Sequence, residues 1–358
     1  MTPGFWKGKR VLITGHTGFK GSWLTFWLRS LGADVTGLAL PIDTAPCLHD
    51  LLYPGPLTST EHCDIRDAIA VSHRVTRARP EIVFHLAAQP LVRASYRDPA
   101  ETWSVNVQGT LHLLDALRLA KDVKSVVIVT TDKVYDNQEA KRAFVETDPL
   151  GGHDPYSASK AAAEILTASY RSSYFQGRGV GIATARAGNV IGGGDWAEDR
   201  LVPDAIRAWS KGHVLSVRNP ASVRPWQHVL EPLAGYMLLA EALFFAPELG
   251  SGWNFGPDHR SAQSVGDILN LARAHYGKGD MQFHHPVFSP HEAGYLMLDS
   301  TKAQRELGYT PRFGLDETVS RTMAWYRDLE TGASARDLCQ TDIDAYLGIG
   351  RQPQKVAL

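Results

Sequence analysis

The sequence predicts an α/β protein in which a parallel sheet is wound on both faces by helices and followed by a smaller C-terminal part. Three observations carry that expectation. Short apolar runs alternate with longer helical stretches through the first half, the pattern of repeated βαβ units. A glycine-rich turn, "TGHTGFKG", stands at the first strand–helix junction. The alternation then breaks near Asn189, where "GGGDWAED" opens a loop and prolines recur at 203, 220, 225, 232, 247 and 257.

The elements follow in order. "RVLIT" is a first strand, and a helix runs from about Gly18 to Leu31, stopped by Gly32. "DVTGLAL" is the second strand, "HCDI" a short third and "EIVFHLA" a fourth. A helix from about Asp98 to Leu119 leads to the fifth strand, "VVIVTTDKVYDN", whose β-branched start reads as a buried parallel strand and whose polar end opens at the mouth of the sheet. Tyr156 to Phe175 is a long helix and "VGIATARAG" the sixth strand. The expected division is a dinucleotide-binding domain over 1–188 and a mostly substrate-binding domain over 189–358, read as helical and irregular pieces. Returns to the first domain are expected near 225–256, in "RPWQHVLEPLAGYMLLAEAL" and "GWNFG". The polar stretch Thr331–Leu358 is expected to fray in part.

Composition narrows the function classes. Lys and Arg number 37 against 38 Asp and Glu, so no charge excess favours nucleic acid or a membrane surface. The three cysteines, Cys47, Cys63 and Cys339, are scattered and form no CxxC pair, which argues against a disulfide framework or a metal site and for a reducing compartment. No apolar run has the length of a membrane span or a signal core, so a soluble, cytoplasmic protein is expected.

Three constellations carry chemistry. Gly15, Gly18 and Gly21 follow a strand and open a helix. Such glycines permit a tight turn and a close approach of backbone to a pyrophosphate held at the helix N-terminus, the dinucleotide site of a Rossmann-type fold. The acid expected after the second strand for the adenine ribose is missing, and no arginine stands ready for a 2′-phosphate. Asp64-Ile65 is either an adenine contact or a simple helix cap before Arg66. In "YSASK", Tyr156 and Lys160 lie one turn apart, a rise of about 6 Å, where an ammonium favours the phenolate and makes the tyrosine a usable base. Thr131, Asp132 and Lys133 set a hydroxyl, a carboxylate and an ammonium in succession just ahead of that helix.

"TGHTGFKG", "HLAAQ", "NVQGT", "TTDKVY" and "YSASK" stand in the order and spacing of the extended short-chain dehydrogenase/reductases, over about residues 1–190. "RAGNVIGGGDW", "RPWQHV" and "LDSTKA" extend the likeness to about 305, and the chain resembles the nucleotide-sugar 4,6-dehydratases within that superfamily. The resemblance implies NAD as cofactor and a nucleotide sugar as substrate, CDP-glucose in the subgroup most similar. It carries over Gly15, Thr17, Gly18, Phe19 and Gly21 as the pyrophosphate loop, and Asp64 and Ile65 as the adenine contact. Ala87, Ala88, Asn106, Tyr156 and Lys160 would line the cofactor. Thr131, Tyr156 and Lys160 would serve oxidation, with Asp132 and Lys133 serving elimination. Gln89, Asn189 and Arg224 would meet the sugar nucleotide, Arg224 through its diphosphate unless it is a plain surface residue. No metal is implied, and the family habit of pairing through two long helices implies a homodimer or homotetramer.

Departures from the family pattern matter. Relatives acting on dTDP-glucose carry Asp-Glu where this chain has Asp132-Lys133, so Lys133 is either an amine base or an electrostatic aid to an enolate. His16 and Lys20 replace smaller or uncharged residues in the glycine turn. Two other readings remain open: a nucleotide-sugar 4-epimerase, which needs no elimination pair, and a non-catalytic dinucleotide-sensing regulator.

Overall fold

In the computed structural model, which describes residues 2, 4–42, 45–54, 60–139, 141–258, 261–284 and 295–349, the apolar runs of the first half become parallel strands. They are β1 (Arg10–Thr14), β2 (Asp34–Ala39), β3 (Thr60–His62), β4 (Ile82–His85), β5 (Ser125–Val129) and β6 (Gly181–Ala187). Between them run α1 (Phe19–Ser30), α2 (Leu48–Leu52), α3 (Ala68–Ala78), α4 (Val92–Arg97), α5 (Pro99–Trp103), α6 (Gly109–Leu119) and α7 (Pro155–Tyr170). Successive strand residues point to opposite faces. Val11, Ile13, Ile82, Phe84, Val127 and Val129 therefore join one apolar cluster with Trp23 and Trp27 of α1. Leu12, Val83, Val126 and Ile128 join another, with Val75 of α3 and Leu117 of α6.

The remaining elements are β7 (Val190–Ile191), α8 (Leu201–Ser210), β8 (Val214–Arg218), β9 (Val223–Pro225), β10 (Gln227–His228), α9 (Leu230–Phe245), β11 (Gly252–Phe255), β12 (Ala262–Ser264), α10 (Val265–Tyr276), β13 (Asp280–His284), α11 (Thr301–Leu307), α12 (Leu315–Glu330) and α13 (Ala335–Leu347). The sheet order is β11-β6-β5-β4-β1-β2-β3, with β11 parallel to β6 at the edge. The chain leaves β1 toward β2 and β3, then returns on the other side of β1 to β4. That reversal opens a crevice at the carboxyl ends of β1 and β4, where ligands of such sheets bind.

Four local expectations are corrected. The third strand ends at His62, so Cys63, Asp64 and Ile65 lie beyond it. The helix expected over Asp98–Leu119 holds a π-helical turn at Ser104–Gln108 between α5 and α6. The second half, expected to be helical and irregular, also contains two-stranded pairs: β8 with β13, β9 with β12, and β7 with β10. In β8 the alternation is plain, with Leu215 and Val217 buried and their neighbours exposed, but the run is short and flanked by turns. The polar tail forms α13 instead of fraying over 335–347, because Cys339, Ile343 and Tyr346 share one buried face and Tyr346 packs edge-on to Trp27 at 5.7 Å. The end of the expected fraying segment, 350–358, lies outside the described residues. Among the described residues no helix is long and apolar enough to cross a membrane.

Candidate active site

The crevice is the mouth of a cavity of about 1130 Å³ that runs from the glycine turn past β5 to α8, β8 and β9. At one end Gly15 takes φ +72°, and a Cβ there would stand 2.7 Å from the Ala87 nitrogen. Gly21 lies flat against the turn, where a Cβ would meet the Gly15 carbonyl at 2.1 Å. Gly18 caps α1 without a side chain, so the first-turn N–H groups face the cavity as an anion site. Thr17, Phe19, Ala87, Ala88 and Ile65 complete this wall. The residues present thus fit a dinucleotide pyrophosphate. His16 packs its ring where a Cβ on Gly37 would be, edge-on to His49 at 5.2 Å, and burial lowers its pKa to about 4.

The ribose end is weakly furnished. β2 runs out at Ala39 and Leu40 with no acid. Asp64 lines the cavity, but Arg66 grips its carboxylate at 2.6–3.0 Å, and those hydrogen bonds lower its pKa. Asp64 is not the cap of the following helix: Asp67 fills that place and accepts from the Ala70 N–H at 3.0 Å.

At the centre, β5 stops at Val129, and Thr130 and Thr131 lead into a 3₁₀ turn over Asp132–Val134. The Thr131 hydroxyl donates to Asp132 Oδ1 at 2.9 Å. Asp132 is 1 % exposed, and its Oδ2 has no hydrogen-bond partner among the described residues. Lys133 Nζ stands 3.9 Å from Asp132 Oδ1 with its side chain 30 % exposed. α7 opens with Asp154, which accepts from the Ser157 N–H at 3.0 Å, and with Pro155 in its first turn, and so presents Tyr156 to the cavity. Tyr156 and Thr131 line the cavity together. Lys160 Nζ donates to the Val129 carbonyl at 3.1 Å. Burial holds the Lys160 pKa down to about 8, opposed by Glu164.

One expectation is reversed here. Lys160 was expected to make Tyr156 acidic, yet burial dominates and pushes the phenol up to about 12. Lys160 turns its ammonium to the Val129 carbonyl, and the Asp132 and Asp154 carboxylates also disfavour the phenolate.

Two sequence-picked residues brace the site without lining it. The Asn106 amide accepts from the Gln89 N–H at 2.8 Å and donates to the Gln89 carbonyl and to Ser159. Gln89 donates to the Thr102 hydroxyl at 2.8 Å and accepts from the Leu91 N–H at 2.6 Å, which engages both ends of its amide. Asn189 and Arg224 do line the cavity, Arg224 buried on β9 with Nη1 donating to the Val223 carbonyl at 2.8 Å.

Further charged groups surround the centre that the motifs did not single out. Arg200 reaches into the cavity with Nη1 donating to Asp195 Oδ2 at 2.8 Å. Lys20, noted only as a departure, sits among Arg200, Asp132, Lys160 and Asp195, and burial lowers its pKa to about 8. A basic residue between a glycine-rich loop and a helix was the available signal for Arg200. Together with Arg224 these cations suit a site that receives phosphorylated ligands.

A glycine turn at the sheet's switch point and a buried Tyr156–Lys160 pair beside it define a protein of the extended short-chain dehydrogenase/reductase class. The chain belongs to the GDP-mannose 4,6 dehydratase family, whose profile matches residues 12–322. It is 45% identical over 349 residues to a CDP-glucose 4,6-dehydratase of Salmonella typhimurium, covering 96% of this chain and 97% of that protein. It is 32% identical to a dTDP-glucose 4,6-dehydratase of Streptomyces griseus, over 88% and 93% of the two chains. Among solved structures it resembles DesIV, a dTDP-glucose 4,6-dehydratase from Streptomyces venezuelae with NAD and TYD bound, at TM-score 0.76 and 26% identity over 90% and 98% of the chains. It also resembles the Thermus thermophilus UDP-glucose 4-epimerase in complex with NAD, at TM-score 0.75 and 28% identity over 88% and 98%.

Proposed function

We propose that the protein is an NAD-dependent CDP-glucose 4,6-dehydratase, a hydro-lyase that converts CDP-glucose to CDP-4-dehydro-6-deoxy-D-glucose and water. The observation that carries this is one cavity wall where Thr131, Asp132, Lys133 and Tyr156 meet, in a chain 45% identical over nearly its full length to an enzyme of that name. The glycine turn, Ala87, Ala88 and Ile65 hold the cofactor, which when bound supplies the electron-pair acceptor at C4 and donor at C6. Asn189, Arg200 and Arg224 face the sugar nucleotide.

Tyr156 takes the C4 hydroxyl proton while Thr131 orients that hydroxyl. Lys160, in its charged form, offsets the phenolate that then exists. The resulting 4-ketone acidifies the C5 hydrogen. An elimination across C5–C6 requires an acid at the C6 hydroxyl and a group that serves C5, and Asp132 and Lys133 stand together on the cavity wall to supply them. Asp132 is the acid for the departing C6 hydroxyl, and Lys133 serves C5 either as an amine base or as the charge that steadies the enolate. This pair is the feature that favours a dehydratase over a 4-epimerase or a sensing regulator.

The division of labour proposed for the chain is a dinucleotide-binding part over 1–188 and a mostly substrate-binding part over 189–358. A homodimer or homotetramer fits the exposed Trp103 on α5 and Ile165 on α7. A cytoplasmic setting fits three cysteines that are all free thiols.

The test is incubation of the pure protein with CDP-glucose and NAD, followed by the alkaline absorbance of a 4-keto sugar. Formation of a 4-keto-6-deoxy product is expected. A C4 epimer without water loss, or no change in the sugar, would reject the assignment.

A further inference from the structure

Tyr156, Lys160 and Glu164 follow one another at one-turn intervals along α7, so all three point from one face of the helix toward the carboxyl end of the sheet. The first two belong to the oxidising machinery. The third is 4 % exposed, as buried as a core leucine, and a carboxylate in that position requires a reason.

Every lone pair of Glu164 is engaged. Oε1 accepts from the Thr130 hydroxyl at 2.6 Å and from Arg186 Nε at 2.9 Å. Oε2 accepts from the Thr184 hydroxyl at 2.5 Å and from Arg186 Nη2 at 2.7 Å. The bidentate Arg186 is anchored in turn. Its Nη1 donates to the Tyr135 hydroxyl at 2.7 Å, and that hydroxyl donates to Asn254 Oδ1 at 2.7 Å on β11. Gly252 leaves the room, since a Cβ there would stand 2.5 Å from Arg186 Nη2. A fully satisfied ionic network of this kind is rigid. It ties α7, β5, β6 and β11 together directly beneath the active site.

One of its contacts and one near neighbour bear on chemistry. Thr130 is the residue before Thr131, whose hydroxyl donates to Asp132. Holding Thr130 to α7 therefore sets where the Thr131–Asp132 turn meets Tyr156. Lys160 is the neighbour, one turn before Glu164 on α7. Its ammonium is buried, touches the Val129 carbonyl, and has Glu164 as the neighbouring group that favours its charge.

We propose that Glu164 is a positioning residue for this site: it keeps the buried Lys160 charged and pins the Thr130–Asp132 turn against α7. The proposal rests on the dehydratase reading for its kinetic arm but not for its direct one. Without the carboxylate, burial acts on Lys160 unopposed, with the Lys20 and Arg186 cations and the buried His85 left around it, and the ammonium gives up its proton at lower pH. Oxidation requires the charged lysine, so activity is lost as pH rises, and that alkaline loss must begin earlier.

The experiment is Glu164→Gln, which keeps size and an acceptor while removing the charge. Lys160 is followed directly in protein carrying ¹³Cε-lysine, its signal identified by its loss in Lys160→Arg. The expected titration midpoint of Lys160 falls by about one pH unit, the scale of a lost close opposite charge. The alkaline limb of kcat/KM with CDP-glucose moves the same way, and kcat falls at least about tenfold with KM within about twofold. A Lys160 midpoint unmoved within about 0.3 unit overturns the proposal, because a merely structural carboxylate would lower thermal stability and leave that titration alone. If Glu164→Gln does not fold, Glu164→Leu with Arg186→Met removes both charges and leaves none buried alone; a smaller downward shift is expected there, since a cation is lost with the carboxylate, and its absence is equally fatal. Thr130→Val cuts only the tether. It should lower kcat with the Lys160 midpoint unchanged, and wild-type kcat would remove the pinning half. A shifted midpoint in a protein that never turns over CDP-glucose supports Glu164 in this role and overturns the substrate reading instead.

Discussion

Asp132 Oδ2 looks onto Gly188: a Cβ built on that glycine would stand 2.9 Å from the oxygen and 3.0 Å from Pro225. Oδ1 of the same carboxylate is held by the Thr131 hydroxyl, so the group cannot swing aside without breaking that bond. Gly188→Ala is expected to keep the fold but displace the carboxylate, lowering kcat by about tenfold or more, because small misplacements of a reacting group are costly. Steady-state kinetics with CDP-glucose check this, and an alanine variant with unchanged kcat would show that Asp132 has slack.

Asp132 and Lys133 serve elimination in the proposed mechanism, so changing either should spare the first electron transfer. In single turnover, Lys133→Met is expected to accumulate reduced nicotinamide that persists, with a primary isotope effect on residual turnover of C5-deuterated substrate. Asp132→Asn should also accumulate the reduced form, but with deuterium lost from C5 by reversible enolisation. Normal turnover in Lys133→Met would make the lysine a solvated charge, and absence of any reduced cofactor would move it to sugar binding or oxidation.

Tyr156→Phe should bind the CDP-sugar normally and lose at least ~10²-fold in kcat, the usual scale for a positioned acid–base group. It should form no reduced nicotinamide in single turnover, which separates it from the two preceding variants. Turnover near wild type would take Tyr156 out of the mechanism.

The cofactor is expected to be held loosely. β2 ends without an acid, and Arg66 already occupies Asp64. Purified protein should contain less than one dinucleotide per chain by mass measurement after denaturation, and added NAD should raise activity. Full occupancy with no response to NAD would contradict this.

A fifth expectation concerns stability. Burial lifts Asp342 on α13 to about 6, despite its contact with Arg321 at 3.2 Å. A carboxyl raised in the folded state contributes stability that is present below its unfolded value of about 3.9 and lost as pH rises through about 6. The Tm of the wild type relative to Asp342→Asn should therefore fall between about pH 4 and 6.5 and level off above. A difference that is flat over that range would mean that Asp342 titrates normally.

Much of this molecule was legible in its sequence because the signals are local. Strand and helix periods, the glycines at the first turn and the one-turn spacing of Tyr156 and Lys160 depend on residues a few positions apart, and the structure keeps them. What failed had non-local causes. Gln89 and Asn106 have the chemistry of ligand contacts, yet the Asn106 amide bonds the Gln89 backbone and the Gln89 amide bonds Thr102 and the Leu91 N–H. The polar tail became α13 only because Trp27 and Phe313 offer its Tyr346 a surface. The short strands β8 and β9 exist because β13 and β12 pair with them.

The sequence by itself determined the fold class, the place of the glycine turn and the residue types at the mouth of β5. Only the tertiary structure decided their electrostatics, because burial and long-range partners set the state of an ionisable group. It pushes Tyr156 up where spacing alone argued for down, and it brings Lys20, a residue of α1, beside Lys160 of α7. It also joins Glu164 to Arg186, residues 22 positions apart, in a buried pair under the site. No reading along one dimension could weigh those terms, since each depends on how much water the folded chain has excluded and on which charges remain facing one another.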